Sequence, residues 1–245
     1  SYLYLTYVSD RKKTALLNVS GDAGFFFNGA PHAGDVYGYG WLYIPVTLKK
    51  GLNELYVRPS RQVEVSLQFP DKPVQLNTQD PTAPVIEAGA AGNDSLKAAV
   101  VLGNSSAEDL HNYRIKAVVE GKETVSERPV VPAMSSRKVP FLFNAANLPG
   151  KGHFNCSLIL LHKGKPIDEK ELPVEAVAPG EQYSITFISG LDGSLQYYAV
   201  TPQSETKASI GNSGKERTAS GTVSEDPPPG TMHEEGTPAK YIPQK

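Results

Sequence analysis

Three residue types in this sequence could do chemistry by familiar routes, namely its serines, histidines and paired carboxylates, and none of them stands at a catalytic spacing. A hydrolase elbow needs Gly-x-Ser-x-Gly, because a small residue on each flank lets the backbone bend and bares the hydroxyl. Gly103-Asn104-Ser105-Ser106-Ala107 lacks the final glycine, and Gly211-Asn212-Ser213-Gly214-Lys215 has lysine in its place. The second string also fails as a phosphate loop, with Ser209 where the first glycine belongs and Glu216 where a Ser or Thr would hold magnesium. Both read as polar turns. His32, His111, His153, His162 and His233 form no HExxH pattern and read as surface or strand-end residues; His153 and His162 would meet only if a sheet brought them together. Asp168-Glu169 and Glu234-Glu235 are adjacent in sequence, so on a strand they face opposite sides and read as solvated charge. The expectation is a chain with no catalytic residues, no metal site and no cofactor.

Aromatic side chains make a different offer. Tyr37, Tyr39, Trp41 and Tyr43 alternate after Asp35 in a glycine-rich approach. Flat rings can cover the apolar C–H side of a pyranose while a nearby polar group satisfies its hydroxyls. Asp35, Tyr37, Tyr39 and Trp41 are therefore the candidate ligand-binding residues. Period two equally allows these rings to point into a β-sandwich core, with Gly38 and Gly40 keeping Tyr37 and Tyr39 the more exposed pair. Both readings stand at this point.

Composition narrows the partners. The 245 residues carry 24 Lys+Arg against 26 Asp+Glu, a net charge of -2, with no basic run to neutralise a nucleic acid or an anionic bilayer. No apolar stretch reaches the ~18 residues of a membrane span. The single cysteine, Cys156, excludes an internal disulfide. The chain opens on strand chemistry, Tyr2 to Val8, without a signal peptide's basic n-region, and reads as cut from a longer protein.

The elements that must position these residues are strands throughout. Residues 1–70 hold 12 of the 21 aromatics, in short apolar runs bounded by Gly, Pro, Asn and Asp. Strands are expected at 14–20, 24–28, 41–48, 53–58 and 63–69, making a partial sandwich, with Lys49-Lys50-Gly51 as a turn. Residues 71–84, punctuated by Pro73 and Pro81, read as a linker with little to bury. A second sandwich is expected over 85–178, from strands at 96–102, 113–120, 123–127, 138–143, 154–162 and 166–174, with hairpin turns at Gly121-Lys122 and Lys163-Gly164-Lys165. A hairpin at 179–200 and a Pro- and Gly-rich tail over 201–245, expected to be disordered, complete an all-β chain: two β-sandwich domains in tandem, a β-hairpin and a tail.

Some of these segments resemble a known assembly. Asn28-Gly29, Gly34-Asp35-Val36-Tyr37-Gly38-Tyr39-Gly40 and Leu48-Lys49-Lys50-Gly51-Leu52-Asn53-Glu54-Leu55 resemble the galactose-binding-like jelly rolls attached to bacterial polysaccharide-acting and esterase-like enzymes. Residues 85–178 resemble the immunoglobulin-like spacer that often follows. Leu191-Asp192-Gly193-Ser194-Leu195-Gln196-Tyr197-Tyr198-Ala199-Val200 is similar to the hairpin that opens an α/β-hydrolase domain of the prolyl-oligopeptidase or esterase type. The rest of such a domain is not found here: Met232-His233-Glu234-Glu235-Gly236 lacks both the apolar strand and the glycine directly after histidine that an oxyanion loop needs. The resemblance implies a non-catalytic accessory part of an exported bacterial hydrolase, periplasmic or secreted. Its partners would be a glycan or glycoconjugate and a covalently linked α/β-hydrolase domain. The alternative is a pair of purely structural sandwiches packing on that domain.

Overall fold

The computed structural model describes residues 2–35, 38–58, 62–127 and 130–202, and every described element is a strand. Tyr37 and the tail beyond Pro202 lie outside the described residues. The first sandwich is built from β1 (Leu3–Ser9), β2 (Lys13–Ser20), β3 (Gly24–Phe27), β4 (Ala30–Ala33), β5 (Ile44–Leu48), β6 (Gly51–Val57) and β7 (Glu64–Gln68). One sheet runs β1-β6-β3-β4 and the other β5-β2-β7. Alternation sends Phe25, Phe27, Leu55 and Val57 from the first sheet against Ala15, Leu17, Val19, Val46 and Leu48 from the second.

The second sandwich uses β8 (Val74–Thr82), β9 (Val85–Glu87), β10 (Leu96–Asn104), β11 (Tyr113–Val119), β12 (Lys122–Glu127), β13 (Ser135–Phe143), β14 (Gly152–His162) and β15 (Lys165–Val177). Sheet β13-β10-β8 faces sheet β12-β11-β14-β15-β9, in which β9 joins β15 in parallel. Between them lie Val100, Leu102, Val139, Phe141 and Phe143 against Tyr113, Ile115, Leu158, Leu160 and Leu172. Both expected hairpin turns are present. Glu120-Gly121 and Lys163-Gly164 hold positive φ at both positions, the type I′ conformation that matches strand twist. A last pair, β16 (Tyr183–Ile188) and β17 (Leu195–Val200), forms the expected hairpin.

Three features differ from the sequence expectation. Most of the 71–84 stretch is strand β8, hydrogen-bonded to β10 with Val74 and Leu76 buried. The cause lies far along the chain: Asp168 is buried, not solvated, and its carboxylate accepts from Leu76 N at 2.7 Å and from Lys72 Nζ at 2.7 Å. A buried carboxylate must have such partners, and here they draw a polar segment onto the sandwich. The Lys49-Lys50-Gly51 turn is present and forms a corner between the two sheets, since β5 and β6 belong to different sheets. Strand β5 begins at Ile44, which leaves Trp41 to Tyr43 outside the ladder.

The two sandwiches are not separated by a spacer. On β2, Leu16 and Asn18 point away from their own core and are still buried, as are Ala99 and Val101 on β10. These outer faces meet at a joint where Leu16 and Val101 line a small cavity of about 30 Å³ together with Trp41 and Tyr43. Two side chains bond across it: Asn77 Nδ2 donates to Trp41 O at 2.9 Å and Ser136 Oγ to Tyr43 O at 2.8 Å. Leu16→Ala, outside either sandwich core, is expected to cost about 2–5 kcal/mol of stability as a buried truncation does. Urea denaturation checks this, and a loss below about 0.5 kcal/mol, the range of an ordinary surface change, would mean that the joint is not packed.

Candidate functional site

Asp35, the polar member of the expected site, is buried and occupied. Its N–H donates to Val19 O at 2.8 Å, its carbonyl accepts from Gly21 N and Gly38 N, and its Oδ2 accepts from Gly40 N at 2.6 Å. Gly38 and Gly40 both sit at φ 71°, a conformation that glycine adopts freely and side chains disfavour, and the Asp35 carboxylate is spent on Gly40 N. Tyr39 is exposed beside it. Trp41 is half-buried in the joint, with its indole Nε1 enclosed and without a hydrogen-bond acceptor among the described residues. The structure thus places Asp35 in a loop, Tyr39 on the surface and Trp41 between the sandwiches; Tyr37 lies outside the described residues.

The remaining candidates stay apart. His153 and His162 stand near opposite ends of the same strand, β14, and His32 stacks on Phe25 with ring centroids 5.3 Å apart, where burial lowers its pKa. Ser106 Oγ donates to Asn104 Oδ1 at 2.7 Å, and Asn104 is itself buried and donates to the carbonyls of Glu108, Val131 and Pro132, so the 103–107 string is a turn pinned by asparagine. Cys156 is fully buried, and desolvation pushes its thiol up to about 12. Among the described residues, no three His, Cys, Asp or Glu side chains gather as a metal site.

A second aromatic constellation, which the sequence reading did not single out, occupies the outer face of the β1-β6-β3-β4 sheet. Residues directly opposite one another in an antiparallel ladder share a face. Tyr4 is opposite Tyr56, Tyr56 opposite Phe26, and Phe26 opposite Pro31, so one row crosses all four strands. All four are exposed, the three rings at 48%, 38% and 49%. The Tyr4 and Tyr56 rings are 4.8 Å apart and tilted by 34°, following strand separation and twist. The next row carries Thr6 opposite Glu54, and the one beyond it Val8 opposite Leu52. Arg58, exposed just past the end of β6, follows Tyr56 by two residues and so continues the same face on the other side of the aromatic row.

Glu54 orders the rings. Its Oε1 accepts from Tyr4 OH at 2.8 Å and from Tyr56 OH at 3.4 Å, while Oε2 accepts from none of the described residues. Beneath it, Asn53 points the opposite way and is buried. Asn53 Nδ2 donates to the carbonyls of Tyr7, Lys49 and Gly51, and its Oδ1 accepts from Lys49 N and Asn28 Nδ2. The Leu48 to Leu55 string therefore has a physical meaning: one asparagine ties the inter-sheet corner, strand β1 and the β3–β4 turn together, and its neighbour emerges among the tyrosines. The signal for this face was present in β6, where Tyr56 sits on the polar phase of Leu52-Asn53-Glu54-Leu55-Tyr56-Val57. In β1 it was hidden, because Leu3, Leu5 and Tyr7 make the opposite phase equally apolar.

Neither a protein-family model nor a curated protein sequence matches the chain. Solved structures do resemble it. They include the exo-chitosanase CsxA of Amycolatopsis orientalis (16% identity, TM-score 0.34, covering 81% of this chain and 27% of that one). Others are a putative β-galactosidase from Bacteroides fragilis (16%, 0.38, 74% and 34%) and a GH2 β-galacturonidase from Eisenbergiella tayi (14%, 0.35, 79% and 37%). The chain spans about a quarter to somewhat over a third of the length of these proteins. At these scores the likeness carries nothing about function.

The Tyr4–Glu54 bond has a spectroscopic consequence. The neutral phenol donates to a carboxylate that would repel the phenolate, which raises the Tyr4 pKa from 10.0 to about 12. Because the folded-state value is the higher one, the bond's contribution to stability is complete below pH 10 and is lost as pH rises through about 12. Glu54→Gln is expected to bring the Tyr4 transition back toward 10, read by tyrosinate absorbance against a Tyr4→Phe reference; an unchanged titration would refute the coupling.

Proposed function

We propose that this chain is a non-catalytic accessory module of a larger exported hydrolase and that it binds carbohydrate weakly through the outer face of its first sandwich. The observation that carries this is the row of exposed rings, Tyr4, Tyr56 and Phe26, crossing that face beside the carboxylate of Glu54. Rings bonded in place cost little to order on binding and present apolar faces to sugar C–H groups, while Glu54 Oε2 can accept from hydroxyls. Weak binding suffices when a catalytic domain is tethered nearby, since the tether raises the local substrate concentration. A polymeric glycan as ligand fits a periplasmic or extracellular address. Tyr56→Ala is expected to lower affinity for glycans retained by the wild-type chain by about two- to tenfold, the worth of one ring contact. Affinity electrophoresis in polysaccharide gels checks this, and a wild-type chain retarded by none of a broad set of polysaccharides would overturn it.

A second reading, in which the module packs on a covalently linked α/β-hydrolase domain, is favoured by the β16–β17 hairpin. One side is docked: Ser184 Oγ accepts from Val85 N, Thr186 Oγ1 donates to Lys97 O, and Leu195 is buried. The other side leaves Ile185, Phe187 and Tyr198 exposed, with Leu191 99% exposed at the tip. A two-stranded ribbon with a bare apolar side gains stability from a cover. The chain is expected to bind the hydrophobic dye ANS, and Phe187→Ser with Tyr198→Ser to reduce that fluorescence by at least about half; an unchanged signal would remove the hairpin as a docking side.

A further inference from the structure

We propose that the outer face of the β1-β6-β3-β4 sheet takes an internal stretch of a linear, neutral polysaccharide, laid across the strands along the row Tyr4–Tyr56–Phe26–Pro31. This rests on the carbohydrate-binding function proposed above and adds which part of a glycan is read and what charge it carries.

The geometry of the row argues for an internal stretch. Pockets that recognise a sugar's end enclose it. Here the rings stand on the outward side of one sheet, and two cavities lined by described residues lie elsewhere. One lies at the side of the sandwich, lined by Leu5, Tyr7, Leu17, Val65 and Leu67; the other is the small one at the joint. Among the described residues, the row is exposed at every strand it crosses, at Tyr4, Tyr56, Phe26 and Pro31. Adjacent strands set the rings about 4.8 Å apart, and the 4.8 Å between the Tyr4 and Tyr56 centroids realises that spacing. Tyr4 and Tyr56 therefore make a stepped pair, and Phe26 and Pro31 occupy the next two register positions of the same row. Each ring contributes a small contact, so binding accumulates along a chain of flat pyranoses whose substituents lie in the plane of the ring.

The polar groups beside the row argue for a neutral ligand. Glu54 lies two residues before Tyr56 within β6, and Arg58 two residues after it, just past the strand's end. On the same phase, Tyr2 just before β1, Tyr4, Thr6 and Val8 on β1, and Gly24 and Phe26 on β3 are uncharged. An anionic polymer attracted by Arg58 meets Glu54, and a cationic one attracted by Glu54 meets Arg58, so neither sign of polymer is favoured. A carboxylate and a guanidinium flanking an aromatic platform can instead accept from and donate to hydroxyls on the two edges of a chain lying between them. Tyr4 and Tyr56 keep their ring positions through Glu54 Oε1, which leaves Oε2 for that purpose.

The test uses the full chain and isothermal titration with β-1,4-linked gluco-, xylo- and manno-oligosaccharides, from monomers to hexamers. Polygalacturonate and chitosan serve as charged polymers, and light scattering is run in parallel. Affinity for at least one neutral series is expected to rise about tenfold or more from dimer to hexamer, as two or more ring contacts are added. Tyr4→Ala and Phe26→Ala should each flatten that rise, whereas Tyr56→Phe, which keeps the ring, should preserve it. Circular dichroism and thermal midpoints confirm that the variants fold. Binding that is independent of chain length, or tighter for polygalacturonate or chitosan than for the neutral series, overturns this inference and leaves carbohydrate binding standing. No binding to any glycan overturns both, and so does a dimer that Tyr4→Ala and Phe26→Ala dissociate in the absence of glycan binding.

Discussion

Two strands, β2 and β10, are buried on both faces, and the architecture depends on that double burial. A strand in a sandwich ordinarily gives one face to the core and the other to water. Here Ala15, Leu17 and Val19 fill the first core while Leu16 and Asn18 fill the joint, and Ala98, Val100 and Leu102 fill the second core while Ala99 and Val101 meet the first sandwich. The joint then sets what the surrounding residues can do. Trp41 and Tyr43 lend their carbonyls to Asn77 and Ser136, and Asn18 Nδ2 donates to Leu42 O at 2.8 Å, so the 41–43 segment is held as a gasket between sheets.

The same principle, read from the other side of the sandwich, explains the aromatic face. Sheet β5-β2-β7 has the middle of its outer face, at Leu16 and Asn18, covered by the second sandwich, whereas the row on the outer face of sheet β1-β6-β3-β4 is exposed. The open face is braced from within by Asn53, a single side chain with five hydrogen bonds that link a corner, an edge strand and a turn. Burying so many satisfied bonds makes the residue costly to replace and fixes the strand from which Glu54 and Tyr56 emerge.

Much of the fold was legible in the sequence because turns and alternation are local. Val63 to Phe69, the Gly121 and Gly164 turns and the hairpin around Gly193 follow from a few neighbouring residues each. What could not be read locally was decided at long range. Strand β8 looked like a linker because its polar residues are satisfied by β10 and by Asp168, more than 90 positions away. Trp41 and Tyr43 had the right types for a platform or a core, and their place in the joint depends on a surface supplied by residues 75–136. The row Tyr4–Tyr56–Phe26 draws its members from three strands whose pairing no periodicity encodes; only the exposed phase of β6 hinted at it.

The joint also bears on how such a chain can be inherited. Modules that travel between genes by recombination do so most freely when each carries its own finished surface and a linker to either side. Neither sandwich here is finished in that sense. A copy of the first alone would bare Leu16 and the Trp41 segment, and a copy of the second alone would bare Ala99 and Val101 and lose the partners of Asn77 and Ser136. Exposed apolar sheet faces invite association. The two sandwiches therefore form one heritable cassette, and a gene that acquires either is expected to acquire both, in this order and with residues 71–84 between them intact.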